Sequence, residues 1–180
     1  MWNEQIIMML LEGIKDTLYM TLTSTLIGYV IGLPMGILLT VTDKDGIHPN
    51  TAVYKVLDVI ANLIRSVPFL ILLIVLIPFT RFLIGRSYGP TATIVPLVIA
   101  AAPYIARMVE SSLKEVDAGV IEAARSMGAS NFTIVTKVML VEARTSLIVG
   151  ATISLGTILG YSAMAGTVGG GGLGDIAIRY

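Results

Sequence analysis

Two short stretches hold the residue types from which chemistry is usually built. G169-G-G-G-L-G174 has glycines at the spacing G-x-G-x-x-G, which lets a backbone approach a pyrophosphate, and E122-A-A-R-S-M-G128 puts an acid, a base and a glycine into one polar segment. The first match fails in context. That fingerprint needs a strand before it and a helix after it in a soluble βαβ unit, whereas here a long apolar run precedes it, so the glycines read as a flexible turn at the outside surface of a membrane. Nucleotide hydrolysis also finds no site: there is no G-x-x-x-x-G-K-[ST] and no Gly-Lys pair, so any use of ATP falls to a partner. With no cysteine and the single His48, thiolate and zinc sites are excluded. The acceptor pattern Asn131-Phe132-Thr133 has no consequence in a cytoplasmic loop.

The elements that must carry the polar segment are apolar. Of 180 residues, 55% are hydrophobic and 13% charged, about half the charged fraction of a soluble domain, and mean hydropathy is +0.86. Uncharged runs cover Thr17 to Thr42, Ser66 to Thr80, Ser87 to Ala106 and Thr145 to Gly174. Three of them reach the roughly 20 residues that cross a bilayer core as a helix. The second reaches that length from Val59 if Arg65 snorkels toward the membrane surface. The expectation is an all-α membrane protein with a single domain over 1–180 and spans near 14–41, 59–80, 87–107 and 145–167. Met1 to Asp16 reads as an amphipathic lead-in, since the first uncharged run is too long for a signal-peptide core. Zero net charge argues against a nucleic-acid partner.

Five of the twelve basic residues, Arg107, Lys114, Arg125, Lys137 and Arg144, fall in one connection. Positive residues accumulate on the cytoplasmic face, which places that loop inside and the N-terminus outside. Gly28, Gly32 and Gly36 give the first span a smooth face for close helix packing, and Gly156 and Gly160 repeat the pattern in the fourth; packing within the subunit is preferred to a dimer seam. Pro68 and Pro78 in the second span, and Pro96 and Pro103 in the third, are expected to bend those helices.

Within the basic connection, at about 111–141, Val120, Ile121, Ala124 and Met127 fall on one helical face. Asp117 is a ready N-cap and Gly128 a left-handed stop. A second helix follows, capped by Ser130, with Ile134, Val135, Val138 and Met139 on its apolar face. The pattern is helix, turn, helix.

The stretch E122-A-A-R-S-M-G128, followed after nine residues by V138-M-L140, resembles the EAA loop of permease subunits of ABC importers, Glu-Ala-Ala, three residues, Gly, nine residues, Ile-x-Leu-Pro. Val138 stands for Ile and Val141 for Pro. N62-L-I-R-S-V-P-F69, A101-A-P-Y-I-A-R-M-V-E110 and G160-Y-S-A-M-A-G-T-V-G-G-G-G-L-G174 are similar to the methionine-uptake permeases of that family, and together span most of Asn62 to Gly174. The resemblance implies a type I importer transmembrane fold and a transport subunit rather than an enzyme. It would sit as a multi-pass protein of the bacterial inner membrane and move methionine or close analogues by alternating access. It implies a homodimer, a cytoplasmic ABC ATPase dimer that binds the ATP and magnesium, an extracytoplasmic binding lipoprotein, and the lipid bilayer as surroundings. Carried over residue by residue, Glu122, Ala123, Ala124, Gly128, Val138 and Leu140 would couple to the ATPase, the two alanines letting the helix enter a groove. Arg65, Ser66, Pro68, Tyr161, Ser162 and Met164 are the candidates for the translocation path. The family has five spans, a last one after the glycine run, so the chain is read as truncated at its C-terminus. The rival readings are an importer for another small amino acid or an osmoprotectant, and an ion-coupled secondary transporter. The latter predicts buried acids and inverted repeats, and neither is seen in the sequence.

Overall fold

A computed structural model describes residues 4–180, and among them every regular element is helical. The elements are α1 (Glu4–Thr42), α2 (Thr51–Ser66), α3 (Phe69–Val75), α4 (Ile77–Ile84), α5 (Pro90–Lys114), α6 (Ala118–Ser126), α7 (Asn131–Thr133), a π-helical stretch (Ile134–Met139), α8 (Leu140–Glu142), α9 (Arg144–Ala165), a 3₁₀ turn (Gly166–Val168) and α10 (Gly172–Arg179). Three helices are long and apolar enough to cross a membrane, α1, α5 and α9 with its 3₁₀ turn; α2 with α3 makes a fourth if a bent pair counts as one span.

No separate lead-in precedes the first span. From Glu4 onward the chain is already in α1, whose 39 residues extend about 58 Å at helical rise, well beyond a hydrocarbon core of about 30 Å; residues 1–3 of the expected lead-in lie outside the described residues. The four prolines expected to bend helices act differently. Pro68 breaks the second run: the residue before a proline is forced away from helical geometry, so α2 stops at Ser66, and Pro68 (φ −55°, ψ 135°) becomes the cap of α3. Its carbonyl accepts from the Ile71 and Leu72 amides at 2.9 and 3.0 Å. Pro78 lies in the first turn of α4, where its missing N–H has no helical partner to lose. Pro96 and Pro103, in contrast, leave α5 as one helix.

The chain divides into two compact units. One comprises the chain as far as Gly28, Ser66–Ala101 and Ser154–Tyr180; the other Tyr29–Arg65 and Ala102–Ile153. The long helices contribute to both.

In the second unit, α1 lies directly on α5. A Cβ at Gly32 would fall 2.6 Å from the Ala102 carbonyl oxygen, and one at Gly36 would fall 2.5 Å from that of Ala106. This is the close helix approach that small residues permit, and here it is internal to the chain. Gly156 and Gly160 of α9 meet nothing within 4 Å, so the internal packing expected of both glycine sets holds only for the first.

In the first unit the glycine run is a tight knot rather than a flexible turn. The Leu173 amide donates to Thr17 Oγ1 at 2.9 Å, the Gly89 amide to the Gly169 carbonyl at 2.9 Å, and the Gly170 amide to the Ala165 carbonyl at 3.0 Å. Gly172 has φ +74°, and a Cβ there would sit 2.6 Å from Thr17 Oγ1. Only glycine meets both conditions.

Candidate functional site

The polar segment between α5 and α9 is built by caps. Asp117 lies in extended backbone and its carboxylate accepts from the Gly119 amide at 2.8 Å, opening α6. At the other end, Gly128 takes φ +81°. The Gly128 amide donates to the Arg125 carbonyl at 3.0 Å and the Ala129 amide to that of Ala124 at 3.1 Å, the paired bonds of a Schellman turn. Two residues later Ser130 Oγ accepts from the Thr133 amide at 3.3 Å and starts α7. The expected helix, turn and helix is therefore present, with each end satisfied by a side chain or a left-handed glycine.

The second helix differs from expectation in its winding. Ile134–Met139 is π-helical, and i→i+5 bonding brings residues five apart onto one face. Ile134 and Met139 are accordingly the two buried side chains, while Val135 and Val138 are half-buried. The face assigned to α6 is also different. Ala124 is buried and Ile121 half-buried, but Val120 is exposed and Met127 is 82% exposed, joined across the turn by Phe132 at 77%. Met127 follows the last turn of α6 and sits at its C-cap, where it is no longer held to the helical face.

Of the residues carried over for coupling, Glu122, Ala123 and Gly128 are exposed, Val138 and Leu140 half-buried, and Ala124 turned into the chain. Ala124 therefore cannot present its methyl to a partner's groove as its neighbour Ala123 does. Behind α6 lies a cavity of about 630 Å³, with Glu122, Arg125, Ile121, Lys114, Asp43 and Ile47 in its wall.

The path candidates separate. Tyr161 stacks on Phe69, the residue after Pro68, with centroids 4.5 Å apart and planes 5° from parallel. Ser162 is buried; it donates to the Leu159 carbonyl at 2.7 Å and accepts from Thr21 Oγ1 at 3.5 Å, so it serves helix packing and lines no open path. Met164 is exposed, and Arg65 is exposed in the last turn of α2, where a cation complements the helix dipole.

A cluster not singled out from the sequence lies in the second unit. Lys114 Nζ is 2.6 Å from Asp43 Oδ2 and 2.8 Å from Glu110 Oε1, and Arg107 Nη1 is 2.6 Å from Glu110 Oε2. Arg107 Nη2 continues to the Asp58 carboxylate and, at 3.1 Å, to Asn62 Oδ1. Asp43, just beyond α1, is held below its ordinary carboxylate pKa first by the Lys114 hydrogen bond, with the Lys44 amide adding to it against the opposing effect of burial. The signal was present in the sequence as charges three and four apart on α5, Arg107 with Glu110 and Glu110 with Lys114.

The comparisons with known proteins agree with this architecture. The sequence pattern of a family described as the binding-protein-dependent transport system inner membrane component matches residues 8–179. The chain is 48% identical over 172 residues to a probable D-methionine transport system permease protein of Vibrio cholerae, covering 96% of this chain and 76% of that protein. It is 51% identical over 164 residues to the D-methionine transport system permease protein MetI of Escherichia coli K12, covering 91% and 76%. Among solved structures, an inward-facing conformation of the MetNI methionine ABC transporter superposes with a TM-score of 0.97 at 50% identity, over 99% of this chain and 83% of that one. An amino acid ABC transporter at 23% identity and TM-score 0.78 shares the fold. This chain belongs to the family of inner membrane components of binding-protein-dependent transport systems.

Proposed function

We propose that the chain is the permease subunit of an ATP-driven importer for methionine, D- or L-, and close analogues. A separate ABC ATPase dimer binds ATP and magnesium, and a binding lipoprotein delivers substrate from outside. The observation that carries this reading is likeness along nearly the whole chain to D-methionine permeases at about half identity. The segment between α5 and α9 is the docking element for the ATPase and lies in the cytoplasm, with the N-terminus outside. Its support is physical. Met127 and Phe132 project apolar side chains from a rigidly capped turn, and Glu122 and Ala123 lie open beside them. Exposed apolar anchors of this kind fill pockets on partners. A second permease copy completes the pathway, and the open glycine face of α9 at Gly156 and Gly160 suits its close approach. The stacked Tyr161 and Phe69, with Met164 exposed on α9, are the path-lining groups this reading favours.

The test is uptake of radiolabelled methionine in cells lacking other methionine importers. Deletion of this subunit abolishes accumulation and re-expression restores it. Wild-type accumulation in the deletion strain would remove methionine as substrate. Uptake that persists without the ATPase would remove the ATP-driven mechanism.

A further inference from the structure

The ionic chain in the second unit joins three elements through one buried carboxylate. Glu110, 5% exposed, holds Lys114 with one oxygen and Arg107 with the other. Lys114 reaches Asp43 at the end of α1, and Arg107 reaches Asp58 and Asn62 on α2. The loop after Asp43 is itself folded hard against the end of α1: the Gly46 amide donates to the Asp43 carbonyl at 2.9 Å and the His48 amide to that of Val41 at 3.0 Å. Onto this fixed loop, Arg125 of α6 donates from Nη2 to the Ile47 carbonyl at 2.8 Å. A continuous series of polar contacts therefore runs from α6, through the loop, to α5 and α2.

Stability alone does not explain such a chain. Buried ion pairs add little over well-packed apolar side chains of the same volume, because desolvation offsets their attraction. What they do supply is geometry, since a guanidinium held by two carboxylates on different helices fixes both distance and direction. We propose that Arg107 and Lys114 are positioning residues that clamp α1, α2 and α5 to α6, so that displacement of α6 by the ATPase is carried to α2 instead of being absorbed between the helices. The inference rests on the coupling role proposed above for the segment that contains α6. Spatial continuity becomes coupling only when its loss changes how one event drives another, and that ratio is measurable.

The experiment uses the permease in complex with its ATPase in proteoliposomes, with the binding protein and labelled methionine supplied. ATP hydrolysed and methionine transported are measured together. In Arg107→Met and Lys114→Met the complex assembles and continues to hydrolyse ATP, while methionine moved per ATP falls about fivefold or more, the scale of a typical coupling energy. Arg107→Lys, which keeps the charge but cannot hold both carboxylates at once, recovers part of the ratio. An unchanged ratio, or transport and hydrolysis falling in proportion, overturns the proposal. Asp43→Asn, at the end of the chain outside the spanning helix, covers the case in which Arg107→Met does not assemble, and the same fall in ratio is expected of it. Failure of all three variants to assemble assigns the network to folding and also overturns the proposal. Absence of ATP-driven methionine uptake in the wild type fails the functional reading itself, whereas wild-type uptake with an insensitive ratio fails this inference alone.

Discussion

Around Gly172 the chain is joined by backbone amides, a threonine hydroxyl and contacts too close for a Cβ, whereas around Glu110 it is joined by long charged side chains reaching between helices. The first kind of joint has no slack. Its atoms are backbone, its distances are set by covalent geometry, and any added methyl must displace a helix. The second kind can lengthen, rotate or exchange partners while its charges stay paired. A protein that must hold one region fixed and let another respond has reason to use both, and this chain keeps them in separate compact units.

The sharpest way to break the contrast is Gly172→Val. The substitution meets a φ of +74° and a space already filled by Thr17 and Met20, so destabilisation of about 3 kcal/mol or more is expected. It would be read as a large drop in the thermal midpoint of the detergent-purified protein. An unchanged midpoint would return the run to a loose turn. Gly128→Pro comes next, at about 1–3 kcal/mol, since a proline cannot adopt φ +81°. Because the turn is exposed, the protein is expected to stay folded in the membrane and to lose co-purification with its ATPase; Glu122→Lys should weaken the same association without a measurable change in midpoint. Retained association in both variants would take the docking role away from this segment.

Lys114→Met is expected to lower thermal stability by about 1 kcal/mol or less, because a partly exposed pair is screened by water. A loss as large as that of Gly172→Val would erase the distinction between the two joints. The smallest effect concerns acid. Asp43 has a folded pKa below its ordinary value of 3.8, so its stabilising contribution is complete above that value and disappears as pH falls through the lower, folded one. Asp43→Asn should therefore leave midpoints at pH 5 and pH 7 shifted equally and flatten the loss seen below 3.8. A shift that appears only between pH 5 and 7 would assign the titration to another group.

Sequence reading recovered the caps because they are local: Asp117, Gly128 and Ser130 each act within three residues of themselves, and their types alone specify the bonds they make. It recovered the Gly32 and Gly36 approach as a property of α1, but not the difference from Gly156 and Gly160, since the partner of a smooth helix face is set by tertiary packing. The knot at Gly172 was misread for the same reason. A glycine run has the same letters whether it is free or is cut to fit around Thr17. Charges on α5 were visible at helical spacing, yet their partners Asp43 and Asp58 lie dozens of residues away and only the fold brings them near. Met127 was placed on the inward face by extending a 3.6-residue period one position beyond the last residue that obeys it.

The π-helical stretch at Ile134–Met139 has a consequence for how the coupling segment is counted. A π turn holds about one residue more than an α turn, so it acts as an insertion that the surrounding winding has absorbed rather than looped out. Removing a single residue there would restore ordinary winding and rotate everything that follows, α9 included, by about 100° relative to α7. Sequence distance from Gly128 to Leu140 is thus no longer a measure of angle: the same number of residues, wound differently, would aim the fourth span another way.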